Sequence, residues 1–115
     1  MKLPYYQNAV VPQAKITNYL LSPTHRDGHG KEQFFTRFGF ARDDWRIFAN
    51  ALLQHCANNE VAKIEDSPFV KRYVIDGIIQ TPDGRNPNVR SVWFIENAEQ
   101  TPRFVTAYPL ARRGK

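Results

Sequence analysis

Apolar residues recur with a helical period in the first half of the chain and with a strand-like period in the second. Between Pro12 and Ser22-Pro23, the residues Ile16, Tyr19 and Leu20 fall at i, i+3 and i+4, which predicts a short helix stopped by the second proline. Phe34, Phe35 and Phe38 form a second apolar face, and Gly39 stands where a left-handed C-terminal cap is expected. The longest stripe is Trp45, Phe48, Ala49, Leu52, Leu53 and Cys56, preceded by Asp43 and Asp44, whose charge suits the electropositive first turn of a helix. All eight prolines lie outside these helix interiors. From Phe69 to Ile79 the chain is rich in β-branched and aromatic residues, Thr81-Pro82-Asp83-Gly84-Arg85 has turn chemistry, and Val89 to Ile95 alternates, so this region reads as a hairpin. Phe104 to Tyr108 is a further strand, reached through the turn Asn97 to Pro102, and a short extra strand fits near Val61 to Ile64. Gly77, inside a strand pattern, predicts a bulge or a close backbone approach. The sum is an α+β fold, with about three N-terminal helices packed on one face of a C-terminal antiparallel sheet of three to four strands.

Composition narrows this picture without changing it. A chain of 115 residues with 42% hydrophobic content suits a single domain, expected over residues 1–111, followed by a basic, disordered tail at 112–115. Arg112, Arg113 and Lys115 in that tail supply three of the five net positive charges, so the body is only mildly basic and charge alone is weak support for a polyanionic partner. No apolar run approaches the roughly 20 residues that cross a bilayer. The opening Met1-Lys2-Leu3-Pro4-Tyr5-Tyr6 lacks the apolar stretch of a secretory signal, and a soluble, cytoplasmic protein with no membrane partner is expected. The single cysteine, Cys56, excludes an internal disulfide, and its place on the apolar stripe predicts a buried, inert thiol.

Candidate chemistry begins in the segment Leu21 to Lys31, where His25, Gly28, His29, Gly30 and Lys31 come together between two helical patterns. Glycines allow a loop to approach a ligand closely, while imidazole and ammonium groups meet negative charge. A zinc set built from His25, His29, His55 and Cys56 matches no standard ligand spacing. Gly28-x-Gly30-Lys31 lacks the spacing and the preceding strand of a nucleotide-hydrolysing phosphate loop. No metal or cofactor is expected.

The run Ala9 to Ile16 containing Pro12, Gln13 and Lys15, followed by Tyr19-Leu20-Leu21, is the first of several ordered motifs. The others are His25-x-x-Gly28-x-x-Lys31 with Phe34-Phe35, Arg72-Tyr73-Val74, Pro82-Asp83-Gly84-Arg85-x-Pro87, Val89-Arg90-x-Val92-Trp93 and Arg103-Phe104-Val105-Thr106-Ala107-Tyr108-Pro109. Together they resemble the small bacterial family called domain of unknown function 6883, over nearly the whole chain. That family has no established activity. Its members look like stand-alone proteins encoded beside another small protein, or like domains of larger toxin-like chains. This context is similar to the barnase, EndoU, colicin and RelE ribonucleases, a fold-level analogy.

That analogy implies a metal-independent cleavage of RNA, which needs a base for the ribose 2′-hydroxyl, an acid for the leaving oxygen, and cations around the phosphate. His25 is the candidate base or acid, Lys31 and Arg90 the phosphate-holding cations, and Thr106 and Tyr108 hydrogen-bond or proton donors sharing one strand face. Arg72, Arg103 and Trp93 are the candidate substrate-binding residues, Trp93 and Tyr73 by stacking on bases. Each has a plain structural alternative: His25 as a loop or cap hydrogen-bonder, Lys31 as a solvated helix start, Arg90 paired with Asp76 or Glu96, and Thr106, Tyr108, Trp93 and Tyr73 as strand packing. Two function classes follow, a toxin-like ribonuclease acting on RNA and held by a small cognate antitoxin-like protein, or a non-enzymatic module that binds such a partner. The first requires His25 and Lys31 to meet Arg90, Thr106 and Tyr108 on one uncovered surface. It also requires Val105 and Ala107 to point into the core, so that Thr106 and Tyr108 face out.

Overall fold

Four antiparallel strands, β1 (Val61–Asp66), β2 (Val70–Ile78), β3 (Asn88–Glu96) and β4 (Arg103–Pro109), pair in chain order in a computed structural model that describes residues 1–26 and 29–110. Gly28 and the basic residues 112–115 lie outside the described residues, and of His29 only the backbone is described. The extra strand suggested near Val61 is therefore β1, and the sheet is a meander of four, as short connections favour. At the β4 edge, Val10 makes a parallel bridge to Arg103, with Phe104 N–H donating to Val10 O at 3.0 Å.

The helices precede the sheet. Helix α1 (Gln13–Lys15) passes directly into a π-helical turn, Ile16–Leu20, where Leu21 N–H reaches Ile16 O at 2.8 Å. Helix α2 (His29–Arg37) ends as the sequence predicts: Gly39 has φ 105°, its N–H donates to Thr36 O, and Phe40 N–H donates to Phe35 O, a Schellman cap. Helix α3 (Trp45–Asn58) lies on one face of the sheet and buries Phe48, Ala49, Leu52 and Cys56 of the predicted stripe, together with Ala51 and His55. Rings dominate the core: Phe48 stacks on Phe40 at 4.3 Å and tilts against Phe35 at 4.7 Å, and Trp93 meets Phe104 edge-on at 5.3 Å. Offset and edge-on aromatic pairs of this kind add about 0.5–1.5 kcal/mol each beyond the area they bury.

Two backbone details place the candidate side chains. Gly77 is a close approach rather than a bulge, since a Cβ there would lie 2.1 Å from Oδ1 of Asn59, which closes α3. Register shifts lie elsewhere: in β1 between Val61 and Lys63, and in β4, where Val92 pairs with Thr106 and Trp93 with Phe104, leaving Val105 as an extra residue. Of the condition that Val105 and Ala107 point inward, Ala107 meets its half and Phe104 takes the other inward place, because the inserted residue shifts the alternation by one. Thr106 and Tyr108 keep the face opposite Ala107, paired with Val92 and Arg90. Among the described residues no helix is long and apolar enough to cross a membrane.

Candidate functional site

The expected residues gather around a side chain that the sequence offered only as part of an apolar helix face. Tyr19 sits in the π-helical turn, a geometry that recurs at functional sites, and its half-buried ring projects to the β4 edge. There its hydroxyl and Thr106 Oγ1 are hydrogen-bonded at 2.9 Å. His25 meets the same ring edge-on, with centroids 4.9 Å apart, and Lys31 Nζ lies 5.5 Å from the ring centre. Lys15 Nζ, from α1, lies 5.7 Å from it. The loop that carries His25 is shaped by buried Ser22, whose Oγ accepts the backbone N–H groups of Thr24 and His25 at 3.4 and 3.2 Å.

One step further along β4, Tyr108 stands opposite Arg90, and Arg90 stands opposite Asp76. The guanidinium is held bidentately, Nε to Oδ1 at 2.7 Å and Nη2 to Oδ2 at 2.8 Å. Asp76 first and Tyr108 second raise the pKa of Arg90 further above its usual value by stabilising its charged form. Of the alternatives for Arg90, the pair with Asp76 is present and that with Glu96 is not. Thr106 and Tyr108, two residues apart, share one face of β4, opposite Val92 and Arg90, and Thr106 alone of these is joined to the Tyr19 group.

The three substrate-binding candidates do not join them. Trp93 is a correction: its side chain is wholly enclosed in the core, its Nε1–H donates to Ser91 Oγ at 2.9 Å, and no face is open to a base. Tyr73 is likewise buried in the core cluster. Arg72 pairs with Glu65 across β1 and β2, and Arg103, exposed, begins β4 opposite Phe94. Both lie toward the strand ends away from Arg90 and Tyr108, about 13 Å distant along a strand for the four residues from Arg72 to Asp76.

His55 and Cys56 belong to packing. The imidazole is buried between Ser91 and Gly77; Nε2–H donates to Gly77 O at 3.1 Å, and Nδ1 accepts from Ser91 Oγ–H at 2.9 Å. Burial lowers its pKa, so the neutral ring is the folded form. The Cys56 thiol, enclosed by α3 and the sheet, is pushed up to about 12 by the same desolvation. No three His, Cys, Asp or Glu side chains cluster in metal-ligand geometry among the described residues.

Comparisons with known proteins agree with the order of motifs. The family model Domain of unknown function (DUF6883) matches residues 2–111, and the chain belongs to that family. No curated protein matches it. Among solved structures, the chain is similar to one chain of a contact-dependent growth inhibition toxin–immunity protein complex from Klebsiella pneumoniae 342. The TM-score is 0.72 at 18% identity, over 94% of this chain and 98% of that one. What the two share is the fold.

Proposed function

We propose that this member of the family is a toxin-like ribonuclease that cleaves RNA by metal-independent general acid–base chemistry and is held in check by a cognate antitoxin-like protein. One observation carries the reading: the His25 imidazole and the Thr106 hydroxyl, from opposite ends of the chain, meet the same Tyr19 side chain. An imidazole and a hydrogen-bond donor so placed suit attack of a ribose 2′-oxygen on the adjacent phosphorus. In this reading His25 accepts the 2′-hydroxyl proton as the O–P bond forms. Tyr108 returns a proton to the departing 5′-oxygen, leaving a cyclic phosphate on one fragment and a hydroxyl on the other. Lys31 and Arg90 bear the charge that the phosphate gains, with Thr106 donating to one of its oxygens. The two-point hold of Asp76 on Arg90 fixes the direction of that guanidinium. Fold likeness to a chain from a toxin–immunity protein complex supports a protein partner.

Purified protein incubated with bulk RNA in chelator tests the proposal, beside His25→Ala and Tyr108→Phe. Loss of either proton-transfer group should reduce the cleavage rate by about 10²–10⁴-fold with the melting temperature unchanged. Equal cleavage by all three would overturn the residue assignment, and no cleavage by any would overturn the enzyme reading in favour of the binding module.

A further inference from the structure

We propose that a cleft at the end of the sheet away from Arg90 and Tyr108 is a binding site for one guanidinium group, presented by an arginine of a partner protein. The cleft measures about 180 Å³ and is walled by Pro4 and Tyr5 of the N-terminal segment, Lys71 and Tyr73 of β2, and Glu96 and Glu99 at the end of β3 and in the turn after it. Tyr73 and Arg90 point to opposite faces, since Tyr73 is paired with Trp93, three residues from Arg90. The assignment is therefore independent of the ribonuclease reading.

A phenol carries the inference. Tyr73 is only 6% exposed, yet its hydroxyl forms no hydrogen bond with any described residue. No enclosed side-chain oxygen or nitrogen among the described residues is without a partner, so this oxygen is not sealed off: it opens into the cleft that Tyr73 lines. A buried tyrosine ordinarily finds a partner for that group, and here the chain supplies none. Lys71 Nζ is 3.9 Å from Asp66 Oδ1, whereas none of the ion pairs among the described residues uses Glu96 or Glu99. Ala98, at φ 69°, closes the turn between these two, with Glu99 N–H donating to Glu96 O at 3.0 Å. The cleft thus offers a nearly enclosed phenol oxygen and two exposed carboxylates. An anionic ligand meets like charge there, and a neutral one leaves the carboxylates uncompensated. A guanidinium has five N–H donors and no acceptor, in a planar fork that bonds carboxylate oxygens and stacks on aromatic rings; an ammonium is a point charge without a flat face. Small-molecule sites span about 300–1,000 Å³. This cleft suits one side chain, and arginine is among the residues that most often anchor protein interfaces.

N-acetyl-arginine amide presents the side chain as a polypeptide does, its citrulline counterpart keeps the shape without the charge, and free arginine represents a small-molecule source. Titration of each into the protein, followed by the Tyr73 ring and Ala98 methyl resonances, should give saturable shifts with the capped arginine and none with the citrulline form. Tyr73→Phe should weaken binding about tenfold with the melting temperature unchanged, because the hydroxyl serves no internal bond. Replacing both exposed carboxylates, Glu96→Gln with Glu99→Gln, should weaken it about tenfold or more and flatten its salt dependence. The absence of saturable shifts with the capped arginine would overturn the site. Equal shifts with the citrulline form would overturn the guanidinium assignment, as would affinity unchanged in Tyr73→Phe and in the double variant. Free arginine bound about tenfold more tightly than the capped form would overturn the protein source in favour of the free amino acid.

Discussion

Among single residues, His55 ties stability to pH through burial. Its ring is neutral when folded because desolvation lowers its pKa from the usual 6.5, outweighing the hydrogen bond to Gly77 O and the attraction of Asp76. An unfolded chain protonates this ring below about pH 6.5, and the folded chain refuses the proton. Its contribution to stability is therefore complete above that pH and is lost as pH falls toward the folded value. Melting temperature measured at pH 7.5 and 5 should drop more in wild type than in His55→Gln, which starts about 1–3 kcal/mol less stable because Ser91 and Gly77 lose a buried partner. An equal pH-dependent drop in both would refute this. Nothing in the sequence marked His55 as structural, since its partners Ser91 and Gly77 are supplied by strands far along the chain. Tyr19 and Lys15 were obscured for another reason: a ring at a helical apolar position and a lysine with a long aliphatic stem both read as ordinary amphipathic surface.

At the level of elements, period and punctuation were legible, and departures from regular geometry were not. The stripe on α3 and the cap at Gly39 appear where spacing placed them, because burial on one face and a positive φ are demands that few residues meet. Pairing in β4 was not legible, since one inserted residue exchanges inward and outward positions without altering composition. Gly77 was read as a choice between two devices, and Asn59 decides it. Gly77→Ala should force the Asn59 amide aside and break its 2.9 Å hydrogen bond to His55 O, costing about 1 kcal/mol in chemical denaturation. In an Asn59→Ala background the same change should cost far less; an undiminished cost there would assign the clash elsewhere.

For the molecule as a whole, the candidate site is assembled from the first helix, the loop after it and the final strand, so its position depends on how α2 is anchored. A clasp does this: Arg85 from the β2–β3 turn pairs with Asp83, donates to Arg37 O at 2.8 Å and covers the Phe38 ring at 4.5 Å. Beside it Asp83 N–H donates to Phe38 O at 3.2 Å. Arg85→Ala should lower global stability by about 1 kcal/mol and speed amide exchange in α2 more than in β2 and β3, checked residue by residue. Uniform acceleration would mean that the clasp does not act on α2 in particular. The order of synthesis gives the position of β4 a further meaning. A ribosome releases His25 and Lys31 long before Thr106 and Tyr108, and a growing polypeptide is exposed at about 5–20 residues per second. Until β4 emerges, Tyr19 has no Thr106 hydroxyl to bond and Arg90 no phenol opposite it, so the candidate site stays incomplete for most of synthesis.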